Sequence, residues 1–324
     1  MEVVSGPVIC NLQQLLHSGI FMITIGTRGS ALALAQTEQM KARLRGIFPE
    51  AEIAVRTIKT SADRDTTTSI RAGSAVGVFV KELEQALLSG DIDIAVHSMK
   101  DVPTRIAEGL QIVAIPERED ARDALVSNKA RSLPELPAGS VVGTGSVRRQ
   151  AQLLALRPDL QVQDMRGNID TRLSKLRDGI VDALILACAG LNRLGYSDRI
   201  SAALNFDQML PAPGQGALAI EMRAHDSRVQ LIQAVLNHVP SSITVLAERS
   251  FLQRMGGGCN VPVAVYAVLK GGRIHIEGLA ASADGSRIVR ESIEEGVASA
   301  DQAAISLAER ILDRGGREIL AEIV

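Results

Sequence analysis

Cysteine is scarce in this chain: three among 324 residues, at Cys10, Cys188 and Cys259. They are too few and too scattered for a disulfide framework, and no pair has the close spacing of a zinc site. That usage points to a reducing, cytoplasmic setting. An excess of one charge is also missing. With 35 basic against 37 acidic residues and a formal net charge of −2, the chain lacks the basic surplus or long basic run of a nucleic-acid binder. No stretch approaches the roughly 18 uninterrupted apolar residues needed to cross a bilayer. Residues 1–21, MEVVSGPVICNLQQLLHSGIF, have no basic start and a polar, broken middle, so they make a poor secretory signal and are expected to be a disordered extension. No G-x-S-x-G elbow, Walker loop or dinucleotide fingerprint is present. His97 and His225 stand alone, without a partner at metal spacing, and read as structural.

What the chain does have is apolar residues, 46% of the total, enough to core two or three domains. From Met22 the pattern alternates strand (MITIGT), helix (SALALAQTEQMKARLRGIF), strand (EIAVRTIKT), helix (VFVKELEQALLSG) and strand (DIAVHSM). That grammar belongs to a mainly parallel sheet with helices on its faces. It returns as SVVGTG, SVRRQAQLLALR, LQVQDMR, IDTRLSKLRDG and DALILACAG. Cys188 falls in the last of these and reads as a small core residue of a buried strand. After MLPAPGQGALAIEMR the character changes to helix TVLAERSFLQRM, three strands joined by GG and DG turns, and a final helix. The expected architecture is therefore two similar α/β lobes and an antiparallel α+β module. Lobe 1 spans 22–116 with 217–236, lobe 2 spans 117–216, and the third domain spans 237–324.

The repeat reaches single residues. IGTRGS at 25–30 and VGTGS at 142–146 both place a Gly-Thr strand end before a helix, which starts at a serine cap, Ser30 or Ser146. Free backbone N–H groups and the positive end of the helix dipole make such a start an anion site, which Arg28, Arg148 and Arg149 would strengthen. Two facing sites suggest a cleft that grips an acidic ligand. Arginine at a helix start opposes the dipole, so Arg148 and Arg149 call for an anionic partner. Arg166, Arg172 and Arg193 also fall at element ends, and this spread of guanidinium forks suits a ligand with several carboxylates. In HSMKDVP, Lys100 and Asp101 follow a buried strand at its carboxyl end, the edge where open α/β sheets place ligands. A solvated turn is the alternative. The polar stretch 61–77 reads as a lid or as a solvated insertion. Cys259 follows three glycines in RMGGGCNVPV, between a helix and a strand of the third domain.

Two lobes around an anion-binding cleft also describe solute-binding proteins, so a binding module rivals an enzyme at this point. The ordered set GTRGSALALAQ, KELEQALLSGDIDIAVHSMKDVP, GTGSVRRQAQL, RGNIDTRLSKL, LPAPGQGALAIE and GGGCNVPV is more specific. From Met22 to the C-terminus it resembles the porphobilinogen deaminase family. The resemblance implies periplasmic-binding-protein-like lobes, with a dipyrromethane cofactor joined by a thioether to Cys259, where glycines let the pyrroles lie close to backbone. It implies condensation of four porphobilinogen units with loss of ammonia, and release of linear hydroxymethylbilane for tetrapyrrole synthesis. Asp101 then stabilises the cationic methylene-pyrroleninium. Arg28, Ser30, Lys100, Ser146, Arg148, Arg149, Arg166, Arg172 and Arg193 match positions that bind cofactor or substrate carboxylates. Two departures stand out: Val76 replaces a common lysine, which puts the lid's charge in question, and Ala31 replaces a common proline. No metal, nucleic acid or membrane enters this expectation, and the chain is expected to act as a cytoplasmic monomer.

Overall fold

The computed structural model describes residues 22–58, 80–256 and 261–322. The extension 1–21, the expected lid 61–77 with Val76, and Cys259 lie outside the described residues. In chain order the first elements are β1 (Met22–Thr27), α1 (Ala31–Ile47), β2 (Glu52–Thr57), α2 (Lys81–Leu88), β3 (Ile94–Ser98) and β4 (Leu110–Ala114). Next come β5 (Asp123–Ser127), β6 (Val141–Gly143), α3 (Val147–Leu156), β7 (Gln161–Gln163), α4 (Ile169–Arg177), β8 (Ala183–Ala187), α5 (Cys188–Arg193), β9 (Ala202–Ala203) and β10 (Leu218–Arg223).

The strands form two five-stranded sheets of the same design, ordered β2-β1-β3-β10-β4 and β7-β6-β8-β5-β9. In each, the first three strands are parallel and the fourth runs antiparallel to both neighbours. That fourth strand reaches its sheet by a crossing segment, 115–122 before β5 and 204–217 before β10. The repeat seen in short motifs thus extends to topology. Helix α1 starts at Ser30, whose hydroxyl accepts from the Ala33 N–H. It buries Gln36, Met40 and Leu44 at intervals of four, one face of a 3.6-residue period. Met40 and Leu44 join Ile23, Ile25, Phe48 and Ile53 in the first core. Each fully buried side chain of this kind contributes about 1.5–3 kcal/mol.

Helix α6 (Val229–Leu236) packs on that core through Leu231, Ile232 and Leu236. Then α7 (Val239–Arg254), β11 (Val263–Lys270), β12 (Arg273–Ala281), β13 (Ile288–Gly296), α8 (Ala300–Ile311) and α9 (Arg317–Ala321) make the third unit. Its strands form an antiparallel meander. Alternate residues of β12, Ile274 and Ile276, face Phe251 of α7 and Leu307 and Ile311 of α8. The first hairpin turns at Gly271 and Gly272 with φ of 58° and 76°, the double left-handed conformation of a type I′ turn.

One sequence expectation changes. DALILACAG is not a single strand: β8 ends at Ala187, and Cys188 opens α5. Its N–H still bonds to the Arg122 carbonyl in the register of β5 and β8 before the chain turns into the helix. The thiol is still a core group, 1% exposed, and burial pushes it up to about 12. Strands β4, β5, β9 and β10 were not separated out by the sequence pattern. Among the described residues, no helix is long and apolar enough to cross a membrane, and no cluster of three or more His, Cys, Asp or Glu could hold a metal ion.

Candidate active site

Strand β3 delivers its carboxyl end into one turn of 3-10 helix, Met99–Asp101. Met99 is buried, and the Val102 N–H closes the turn on the Met99 carbonyl. An arginine of the third unit holds the next two residues: Arg249 of α7 donates to the carbonyls of Val102 at 3.1 Å and Pro103 at 2.6 Å. Lys100 and Asp101 are adjacent but reach different places. Asp101 lines a small cavity with Arg28, Ser30, Gln36, His97 and Ser98. Gln36 donates to Ser98 Oγ at 2.9 Å, which ties α1 to the end of β3. The Ser30 oxygen caps α1, and its O–H proton is left to donate to an anion.

Lys100 turns the other way and donates to Gln215 Oε1 at 3.4 Å. Gln215 is fully buried and joins the lobes. It accepts also from Arg149 Nη2 at 3.4 Å, and its Nε2 donates to Asp123 Oδ1 at 2.9 Å and to the Ala121 carbonyl. Its neighbours have to be glycines. Gly214 and Gly216 have φ of 71° and 88°. A Cβ on Gly216 would lie 2.4 Å from the Glu119 carbonyl oxygen, and one on Gly214 would lie 2.6 Å from Met99 Cγ.

Asp123, the first residue of β5, lies at the centre of this cluster and is 0% exposed. Its Oδ2 accepts from Arg148 Nη1 at 2.8 Å, and its Oδ1 accepts from Arg149 Nε at 2.9 Å and Nη2 at 2.7 Å. Arg148 also donates to the Leu210 carbonyl and Arg149 to the Ile185 carbonyl. The two arginines are 4% and 6% exposed. The anion that the helix start calls for is thus supplied by the protein itself. Burial alone would raise the Asp123 carboxyl, but the charges of Arg148 and Arg149 outweigh it and hold the group far below the usual carboxylate range. Burial, and then the charge of Arg149, push Lys100 down to about 8. Arg172 is lowered by the same two causes, burial first. Positive charge still crowds this end of lobe 2.

Ser146 caps α3 by accepting from the Arg149 N–H. Arg193 donates to the Gly216 carbonyl at 2.8 Å, while its buried Nε has no hydrogen-bond partner among the described residues. Arg172 Nε donates to the Gly167 carbonyl at 2.8 Å. Arg166, more than half exposed, pairs with Asp164 at 3.2 Å. The structure therefore brings Arg28, Ser30 and Asp101 to one cavity and Lys100, Arg148 and Arg149 to one buried cluster, and leaves Arg166 at the rim. Asp123, Gln215, Gln36 and Arg249 were not singled out from sequence. A glutamine framed by two glycines in PAPGQG was the available signal. A larger hollow of about 550 Å³ between Asp170, Arg177, Tyr196 and Arg199 is lined by none of the expected residues.

Comparison with known proteins adds identity to this geometry. The family model described as "Porphobilinogen deaminase, dipyromethane cofactor binding domain" matches residues 23–231. A second, "Porphobilinogen deaminase, C-terminal domain", matches residues 242–313. The curated porphobilinogen deaminase of Thermus thermophilus is 48% identical over 303 residues, covering 93% of this chain and 99% of that protein. That of Syntrophus aciditrophicus is 44% identical over 299 residues, covering 92% and 98%. Among solved structures, a putative methionine-binding lipoprotein of Bacillus subtilis is similar with a TM-score of 0.41 and 13% identity, over 68% of this chain and 93% of that one. An arginine-specific periplasmic binding protein of Salmonella typhimurium is similar with a TM-score of 0.38 and 14% identity, over 66% and 91%.

Proposed function

The chain belongs to the porphobilinogen deaminase family and forms hydroxymethylbilane from porphobilinogen, and we propose that Asp101 faces the reacting centre while Cys259 carries the dipyrromethane. When bound, that cofactor supplies the pyrrole carbon onto which substrate units are condensed. The observation that carries the proposal is the shared cavity of Asp101, Arg28 and Ser30 at the carboxyl end of β3.

The residues fit a group rich in carboxylates. Arg193 has a buried Nε with no partner among the described residues, and the mutual crowding of Lys100, Arg149 and Arg172 favours added negative charge. Arg28 and the Ser30 hydroxyl bind a substrate carboxylate at the start of α1, where the helix dipole adds to the attraction. Lys100, Ser146, Arg172 and Arg193 receive the carboxylates of the cofactor and the growing chain, with Arg166 at the rim, while Arg148 and Arg149, paired with Asp123, add positive charge behind them. Asp101 accepts hydrogen bonds from pyrrole N–H groups. Its negative charge stabilises the methylene-pyrroleninium formed when substrate loses ammonia, a charge–charge effect that is strongest where water is excluded.

The third domain, 237–324, carries Cys259 in its sequence between α7 and β11, and the two lobes are 22–116 with 217–236 and 117–216. The enzyme acts as a monomer in the cytoplasm, since one chain carries every group named. Intact-protein mass tests the reading. The unmodified protein should exceed its sequence mass by two linked pyrroles, and Cys259→Ala should not. An alanine variant that keeps the increment, or an unmodified chain without it, would return the site to a simple anion-binding cleft.

A further inference from the structure

Lobe 1 secures the turn that carries Asp101 on its upstream side. There the Met99 N–H bonds to the Ala217 carbonyl, and β3 runs straight into the turn. Downstream, Val102, Pro103 and Thr104 belong to no helix or strand, and Pro103 has no N–H with which to join a ladder. A carboxylate at the end of a short turn keeps a set place only when the backbone on both sides of it is fixed.

The downstream side is held from the third domain. Arg249 of α7 spreads its guanidinium over the segment. Its Nη1 donates to the Val102 carbonyl at 3.1 Å and lies 3.7 Å from Met99 Sδ, and its Nη2 donates to the carbonyls of Pro103 at 2.6 Å and Thr104 at 3.4 Å. Val245, one turn earlier on the same face of α7, shares an apolar core with Met99 and Val102. The helix is itself anchored at the adjacent residue. Glu248, 0% exposed, accepts from Arg118 at 2.7 and 3.0 Å, from the Gly214 N–H at 2.7 Å and from the Ala267 N–H at 2.9 Å. Helix α7 ends at Arg254, and Cys259 follows in the sequence.

A guanidinium placed for stability alone gains most from a carboxylate. Arg249 directs these donors at neutral main-chain oxygens instead, on three consecutive residues immediately after Asp101. Its rigid fork reaches all three, where the point charge of a lysine reaches one. We propose that Arg249 is a positioning residue for the reaction: from the helix that leads to Cys259 it fixes the turn that carries Asp101, and so sets where the carboxylate meets the cation. This rests on the assignment of Asp101 to the reacting centre. Displacing a reacting group by about 1 Å can cost about 100-fold in rate, so a tie of this kind has a measurable effect without touching substrate.

Arg249→Lys keeps the charge and most of the stem but not the fork, and Arg249→Met removes the donors altogether. With the two-pyrrole mass confirmed, single-turnover ammonia release should slow at least about 10-fold in either variant, with affinity for porphobilinogen changed less than about threefold. In an Asp101→Asn background the same replacements should slow release by less than about twofold further, because a residue that acts through the Asp101 carboxylate then has nothing left to position. A second readout needs no turnover. The Val102 N–H closes the turn on the Met99 carbonyl; in the cofactor-free Cys259→Ala protein its hydrogen exchange should speed at least about 10-fold on Arg249→Lys, while the N–H groups of the β3/β10 ladder stay protected. Parental release by the loaded variants, equal slowing with and without the Asp101 carboxylate, or unchanged Val102 exchange overturns the proposal. So does failure of both variants to fold or load, which would make Arg249 a structural tie between domains. An unmodified protein without the mass increment, or Asp101→Asn releasing ammonia at the parental rate, would instead overturn the reading of the site on which the proposal rests.

Discussion

Asp123→Asn separates a lobe held together by its own charges from one held by its ligand. The carboxylate accepts four hydrogen bonds, from Arg148, twice from Arg149, and from Gln215. Asparagine has nearly the same shape but turns an NH2 toward donors and removes the anion bonded to two buried guanidiniums. Breaking a buried pair from one side costs about 3–5 kcal/mol. At roughly 2 °C or more per kcal/mol, the melting temperature should fall by at least about 6 °C. The sign with pH follows from the depressed Asp123 carboxyl. Its contribution is fully present above the unfolded carboxylate range near pH 4 and is lost only as pH falls well below it, so the deficit should be constant from about pH 5 to 8. The measurement is thermal unfolding in a cofactor-free Cys259→Ala background, where ligand contributions are absent. Arg148→Leu and Arg149→Leu should lose stability in the same background, because each strips a partner from Asp123. A purely ligand-binding role for the two arginines would instead leave stability unchanged in this cofactor-free background. If Asp123→Asn melts within about 1 °C of its parent, the cluster does not hold the lobe, and the arginines are reserved for ligand after all.

Two further outcomes are expected of the site. Lys100, pushed down to about 8, carries its charge below that pH and loses it above. Hence kcat/KM for porphobilinogen should decline as pH rises through about 8, and Lys100→Gln should show a lower, flat profile there. For the ligand-free protein the same depression means that stability rises between about pH 8 and the unfolded lysine value near 10.4, which acid–base titration of the melting temperature would reveal. Asp101→Asn keeps geometry and an acceptor oxygen but not the charge. Single-turnover ammonia release by the cofactor-loaded variant should slow by about two orders of magnitude, roughly 3 kcal/mol, with a smaller change in affinity. Release at the parental rate would remove Asp101 from the chemistry.

Much of this architecture was legible because it is local. The serine caps, the Gly-Thr strand ends and the four-residue spacing in α1 each depend on residues a turn apart, and each is present in the fold. The antiparallel strand β5 was not legible, and of β10 the sequence showed the return of 217–236 to lobe 1 but not a strand running antiparallel between β3 and β4. Cys188 shows the same limit on a smaller scale. No glycine or proline marks the point where the apolar run 183–188 leaves the sheet for α5. Asp123 was missed for a comparable reason: its partners lie 25, 26 and 92 residues away, and a lone aspartate before an apolar run looks like a turn residue.

The arginines show where local electrostatics stops. A helix start correctly demands an anion near Arg148 and Arg149, yet the sequence cannot say whether the anion belongs to the protein or to a ligand. The fold assigns much of that demand to Asp123, and once it is met internally, the two arginines no longer point by themselves to a bound carboxylate. Other cations stay disfavoured by burial and by like charge. Arg193 keeps a buried N–H without a partner among the described residues. Lys100 and Arg172 are both held down by burial and then by Arg149. A carboxylate arriving there would relieve repulsion as well as form hydrogen bonds. Lys100, Arg172 and Arg193, more than the paired arginines, are therefore the positions at which an acidic ligand gains most.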